Sequence, residues 1–193
     1  HEAENIAAKL DALNHERRSI EADMQQTAML ALENIDPSDG YSLALFDESW
    51  HQGVIGILAS RLKDKFHRPV IAFARAQNGE IKGSGRSISG LHLRDALDLV
   101  SKRHPQLILK FGGHAMAAGL SLREENFAEF QQAFEIAAQS LLTPADLTKI
   151  LETDGALQQD EFSVEMARSI DSQVWGQGFP QPLFDGVFKV DNQ

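Results

Sequence analysis

The stretch VIAFARAQNGEIKGSGRSI, residues 70–88, constrains the fold of this chain more than any other. Two strand-like runs, 70–76 and 81–88, are separated by Gln77-Asn78-Gly79-Glu80. Asn-Gly favours the left-handed backbone of a tight hairpin, so the two runs are expected to pair antiparallel. Periodic segments surround them. YSLALF (41–46) is a short apolar strand, and 53–66 places Val54, Ile57, Leu58, Leu62 and Phe66 on one helical face before Arg68-Pro69 stops it. His92 to Arg103 reads as a helix with Leu93, Ala96, Leu97 and Val100 inward. After Pro105 come LILKF, a turn at Gly112-Gly113-His114 and the strand AAGLSL; a helix over 126–142 then carries Phe127, Phe130, Phe134, Ala137 and Leu141. Strands alternating with helices make the fold class α/β, and the hairpin makes its sheet mixed rather than parallel.

Outside this middle region, the first 35 residues carry Ile6, Leu10, Leu13, Ile20 and Met24 at helical spacing, ending before the breakers Asp36-Pro37-Ser38-Asp39-Gly40. Residues 1–37 are therefore expected to form one long connector helix, 38–143 the α/β domain, and 144–193 the start of a further module. That tail reads as a strand at 149–157, a helix at 163–172, a Pro/Gly-rich turn WGQGFPQP and a strand at 183–191. The absence of an initiator Met and a start inside a helical pattern predict a piece of a longer protein.

Composition excludes several classes. No apolar run approaches the roughly 18 residues of a membrane span, and HEAENIAAKL is no signal peptide. The 193 residues contain no cysteine, which removes disulfides and thiolate metal sites and fits a cytoplasmic location. The net charge of −10 argues against nucleic acid at first sight. Its distribution argues differently: Arg61 to Lys110 holds eleven Lys/Arg against four acids, leaving seven bases and 24 acids elsewhere. A basic middle between acidic flanks suits a central anionic ligand, and equally a set of solvated helix faces.

Three glycine-rich spots fall within this window or at its edge. In SWHQGVIGILASRL, Gly53 and Gly56 open a helix whose free amides can face an anion, with Trp50 and His51 just before it. Trp50 serves equally as a packing staple. In KGSGRS, Lys82, Ser84, Arg86 and Ser87 combine cations and hydroxyls with flexible backbone, the ingredients of a phosphate nest or of a bulged strand. In KFGGHAMAAG, Gly112 and Gly113 present His114 from a tight turn, either toward a ligand or into packing. No Walker loop, nucleophile elbow, DxD or HxxxH pair is present, so no metal ligand set and no catalytic group is assigned in this chain; His114 is at most a substrate-facing assistant.

WHQGVIGILASRL, IKGSGRSI and KFGGHAMAAG, in this order, resemble the RecJ family of exonucleases, which degrade single-stranded DNA from the 5′ end. The middle of the chain resembles the DHHA1 domain, companion of DHH phosphoesterase domains, and WGQGFPQPLFDGVF resembles the start of the oligonucleotide-binding (OB) domain. The resemblance implies a DHHA1-type mixed sheet preceded by a connector helix and followed by a partial OB-like segment. It also implies Mn²⁺ or Mg²⁺ held by a DHH domain outside this chain, single-stranded DNA as substrate, and single-strand-binding protein and a recombination helicase as partners in repair. Trp50, His51, Gly53, Gly56, Lys82, Ser84, Arg86, Ser87, Gly112, Gly113 and His114 would then line the substrate cleft. A DHH-type phosphodiesterase of oligonucleotides or cyclic dinucleotides, and a non-catalytic interaction module, are the other readings of the same residues.

Overall fold

The computed structural model describes residues 2–32, 40–176 and 179–187. Two compact units divide between Thr148 and Lys149. The first holds α1 (Glu2–Leu32), β1 (Leu43–Phe46), α2 (Ile55–Phe66), β2 (Val70–Arg75), β3 (Glu80–Arg86), α3 (Leu93–Arg103), β4 (Lys110–Gly113), β5 (Ala117–Arg123) and α4 (Phe127–Leu141). The division falls beyond the Thr143-Pro144 boundary expected from sequence because the turn after α4 is tied back. Leu142 is buried, Leu147 packs on the core, and Arg68 Nη1 donates to Leu147 O at 2.7 Å.

The sheet order is β1-β2-β3-β5-β4, with β1 parallel to β2 and the remaining pairs antiparallel. The Asn-Gly signal is realised: Asn78 and Gly79 both take positive φ, 60° and 71°, and Ala76 N donates to Glu80 O at 2.8 Å. One sheet face is covered by α3 and α4. There Ile71, Phe73, Ile81, Leu120 and Leu122 meet Leu97, Val100, Phe130 and Phe134. Phe73 contacts Phe127 and Phe130 edge-on, with ring centroids 5.6 and 5.4 Å apart, so the aromatic stripe of α4 is core. Leu141 departs from the expected stripe: it is exposed, and Leu142 turns inward instead. Glu135 of α4 anchors β1 by accepting from Tyr41 N, Ser42 N and Ser42 Oγ at 2.7–2.9 Å.

The opposite face is covered only in part. α2 lays Ile55, Leu58, Ala59 and Leu62 on Val70, Ala72 and Ala74 of β2. Ile57, expected inward, is half-buried, and Ile55 and Ala59 take the contact. The first turn of α2 also meets Ser84 and Arg86 of β3, and beyond it this face is open among the described residues: the alternation of β3 leaves Lys82 exposed and Ser84 and Arg86 half-buried, while Ile81, Gly83 and Gly85 point into the core.

α1 carries Ile6, Leu10, Leu13 and Ile20 in exposed positions. The expected helix end at residue 35 lies outside the described residues. In the second unit, α5 (Val164–Asp171) is capped by Ser163, whose hydroxyl accepts from Met166 N. Trp175 Nε1 donates to Ile170 O at 2.9 Å, and the Trp175 and Phe179 rings stack at 5.1 Å. The two strands expected in the tail do not form among the described residues; the end of the second, 188–191, lies outside them. Residues 153–155 and 183–185 are joined instead by a few bonds, including Asp154 N to Leu183 O at 2.7 Å and Asp185 N to Gly155 O at 3.2 Å. Two isolated segments without a third strand gain too little pairing and burial to build a ladder.

Candidate functional site

The open part of the sheet face is built by register. Across β3, β5 and β4, Ser84 lies opposite Gly119 and Gly119 opposite Gly112. One step toward the Arg75 end of the sheet on the same face, Lys82 lies opposite Ser121 and Ser121 opposite Lys110. Toward the other end, Arg86 lies opposite Ala117, and the turn His114–Met116 closes the hairpin beside it. Ser87 N donates to Met116 O at 3.0 Å and Leu93 N to Ala115 O at 2.8 Å, so this turn is pinned to β3 and α3. His114 itself is exposed, its amide donating to Ala117 O at 2.8 Å.

α2 borders the face at the Arg86 end. A Cβ on Gly56 would stand 3.1 Å from Ser84 Oγ and 3.2 Å from Arg86 Nη2, so the glycine admits the guanidinium against the first helical turn. Arg86 Nη1 donates to Gly85 O at 2.8 Å and to Ser84 Oγ at 3.3 Å. Val54 O accepts from Ile57 N and Leu58 N, which leaves the amides of Ile55 and Gly56 without an intrahelical acceptor. His51 Nδ1 accepts from Gly53 N at 3.1 Å, folding the loop that precedes α2.

The basic window divides once its partners are known. Arg68 is spent on the carbonyls of Gly40, His67 and Leu147, and Lys63 and Lys102 pair with Asp64 and Asp98. Arg75 binds Glu124 and Glu48 at 2.7–3.1 Å. Those hydrogen bonds raise its already high pKa and hold the Glu124 carboxyl below the ordinary glutamate value. Arg86, Lys82 and Lys110 lie on the open face, and among the described residues no carboxylate forms an ion pair with any of the three, whereas Arg123 at its edge faces Glu80 across the ladder. In a chain of net charge −10, this gathers positive charge on one stretch of the sheet, with Glu80 and Arg123 facing each other beyond it.

Four expectations are corrected. Trp50 is 7% exposed and packs with Val54, Leu58 and Ala74, so its indole offers no stacking surface; its Nε1 has no hydrogen-bond partner among the described residues. Ser87 is buried and donates to Leu91 O at 2.7 Å, away from the open face. KGSGRS forms neither a nest nor a bulge: residues 80–86 are a central strand flanked by β2 and β5, so its amides serve the ladders. Its glycines serve packing, since a Cβ on Gly83 would come within 2.6 Å of Phe73 and one on Gly85 within 2.7 Å of Leu93. Finally, Gly112 and Gly113 end strand β4 and are not the turn itself. Gly113 has φ 149° and a Cβ there would lie 2.4 Å from Ala117 O, whereas Gly112 has open space. Lys110, Gly119 and Ser121 escaped the sequence reading because only the β3-β5-β4 order brings them onto this face.

A hollow of about 830 Å³ lies elsewhere, between the 103–109 loop and the start of α4. Its walls mix Arg103 and Arg123 with Glu125 and Glu129, and His104 Nδ1 stands 3.3 Å from Glu129 Oε1. Its charge is balanced, so size alone does not make it the site.

A family model described as the DHHA1 domain matches residues 39–140, the segment that builds this sheet and its helices. The chain belongs to the DHHA1 family. Over its whole length this DHHA1 chain is similar to proteins named single-stranded-DNA-specific exonuclease RecJ: 49% identical to that of Haemophilus influenzae over 99% of this chain, and 50% identical to that of Escherichia coli over 100%. It spans about a third of their length, 34% in each case. The RecJ of Thermus thermophilus, solved in complex with Mg²⁺ and with Mn²⁺, shares its fold with TM-score 0.73 at 29% identity, covering 92% of this chain and 26% of the Mg²⁺-bound chain. Among the described residues of the present chain, no group of three or more His, Asp or Glu side chains is placed to hold a metal ion. No helix among them is long and apolar enough to cross a membrane.

Proposed function

We propose that this DHHA1 chain is the substrate-positioning half of a single-stranded-DNA-specific 5′→3′ exonuclease, acting in the cytoplasm in DNA repair and recombination. The observation that carries the reading is the open sheet face on which Arg86, Ser84 and Lys82 stand beside Gly56 and Gly112, with no ion pair from a carboxylate to Arg86 or Lys82 among the described residues. A planar guanidinium next to a hydroxyl, at the first turn of a helix, takes two oxygens of one phosphate at once. His114, on the turn bounding the same end, adds a donor for a phosphate or a terminal sugar. Bare glycine backbone at Gly112 and Gly119 lets a nucleotide lie close to the sheet.

The described residues hold no metal ligand set, so no chemical step is assigned to them. In the proposed assembly the Mg²⁺ or Mn²⁺ ligands lie in a DHH domain outside this chain, and this chain contributes orientation of the strand. α1 serves as the connector to that domain, the second unit as the start of an OB-like module, and single-strand-binding protein and a helicase are the expected partners.

The test is Arg86→Ala in the full-length protein, with binding of a fluorescent oligothymidylate and exonuclease turnover measured together. Loss of about 1.5–3 kcal/mol of binding, the worth of a hydrogen bond to a charged group, is expected. Unchanged binding refutes the phosphate role.

A further inference from the structure

The open face carries more cationic surface than one phosphate needs, and the surplus is spatially separate. The Arg86 guanidinium is held at Gly85 O, Ser84 Oγ and the Gly56 turn, at one end of the face. Four residues along β3, about 14 Å at the rise of an antiparallel strand, Lys82 faces the same side. It forms a row with Ser121 and Lys110 across three strands. Between the two ends the row Ser84-Gly119-Gly112 carries only one short hydroxymethyl side chain. A depression of about 300 Å³ opens there, lined by Lys82, Lys110, Gly112, Gly119 and Ser121. The next row beyond the lysines pairs Glu80 with Arg123, so a carboxylate ends the purely cationic track.

We infer that Lys82, Ser121 and Lys110 form a second phosphate subsite, one that engages the substrate strand away from the end held by Arg86. This deepens the proposed function and rests on it: the strand would run along β3 and β5, from the Arg86–His114 end, over the glycine row, to the lysine row. Two strand spacings, about 10 Å, separate the lysine backbones, so their ammonium groups bracket one phosphate from both sides while the Ser121 hydroxyl donates from below. Lys110 enters this track only because β5 lies between β3 and β4. The glycines are needed there because a side chain at Gly112 or Gly119 would fill the depression. The ligand class follows: an oligonucleotide long enough to reach both ends, in preference to a mononucleotide or a compact cyclic dinucleotide.

The experiment uses the full-length protein with a labelled octathymidylate, and an unlabelled dithymidylate as competitor, across a series of salt concentrations. The double variant Lys82→Ala/Lys110→Ala is compared with Arg86→Ala and wild type, circular dichroism confirming folding; the two lysines are exposed. The double variant is expected to bind the octanucleotide tenfold or more weakly. Its salt slope should be shallower by about 0.7 for each phosphate no longer held, and the competitor's inhibition constant should be unchanged. Equal losses for both oligonucleotides, or no loss for either, overturn the second subsite. Arg86→Ala reads the underlying proposal separately. If it leaves both ligands unaffected while the lysine variant is selective, the Arg86 reading fails and the lysine subsite stands.

Discussion

Gly112 and Gly113 look interchangeable in KFGGHAMAAG, and the structure gives them opposite tasks. Gly113 combines φ 149° with a position where a Cβ would stand 2.4 Å from Ala117 O and 2.5 Å from Ala118 Cα. Both atoms belong to the β5 backbone, which cannot rotate away as a side chain would. A backbone region open essentially to glycine alone costs about 1–3 kcal/mol for another residue. Relieving the overlap also means moving β4 off β5, so Gly113→Ala is expected to cost about 3–5 kcal/mol, in the range reserved for severe backbone strain. For a chain of this size that lowers the melting temperature of the first unit by roughly 10 °C. Gly112 has nothing within 4 Å of its absent Cβ and faces the open side. Gly112→Ala should therefore leave stability unchanged or raise it by up to about 1 kcal/mol, since glycine is unfavourable in a strand, while a methyl in the floor of the depression weakens oligonucleotide binding. Urea denaturation followed by circular dichroism, with binding measured on the same preparations, checks both halves. A Gly113→Ala protein with a wild-type midpoint, or a Gly112→Ala protein as unstable as Gly113→Ala, would show this reasoning to be wrong.

Gly56→Ala gains up to about 1 kcal/mol of helix propensity but presses a methyl against Ser84 Oγ and Arg86 Nη2; binding should fall without loss of stability, and an unaffected affinity would remove Gly56 from the site. His114→Ala should leave the unfolding midpoint within about 0.5 kcal/mol, as expected for an exposed side chain, and impair turnover; a variant that melts early yet turns over normally once folded would make His114 a packing residue. Glu124 is held by Arg75 below the ordinary glutamate value of 4.5. The folded chain thus binds that proton less readily than the unfolded one, and the contribution is present above this pH and lost as pH falls below it. The urea midpoint of Glu124→Gln should consequently depend less on pH below about 4.5 than that of wild type, and identical pH profiles would show the Arg75 pair to be without effect.

The hairpin at 70–88 was legible because Asn-Gly between two apolar runs is local turn chemistry, and the helices because their apolar spacing is local periodicity. Ser84 and Arg86 were legible as a hydroxyl and a cation near flexible backbone, but their shared face comes from the regular alternation of β3, which the reading as a nest or bulge did not supply. What stayed hidden depended on distant partners. Trp50 in sequence is an aromatic beside a glycine-opened helix, and only the packing of α2 on Val70, Ala72 and Ala74 shows it to be interior. Ser87 sits one residue past Arg86, and the acceptor that draws it inward, Leu91 O, lies in the following loop. Lys110 and Gly119 join the site through a strand order that no short motif encodes. The charge of the basic window was visible, but its division into paired and unpaired cations required the positions of Asp64, Asp98, Glu48 and Glu124.

Holding the phosphates of a single strand is the role proposed for Arg86, Lys82 and Lys110 of the open sheet face. It is tested most directly by the salt dependence of oligothymidylate binding to the full-length protein, in wild type and in the triple variant Arg86→Ala/Lys82→Ala/Lys110→Ala. The slope of log affinity against log salt should flatten by about 0.7 for each phosphate released from the face, close to 1.4 for the two subsites. A triple variant that binds more weakly with an unchanged slope, or that binds as wild type does, would contradict the claim.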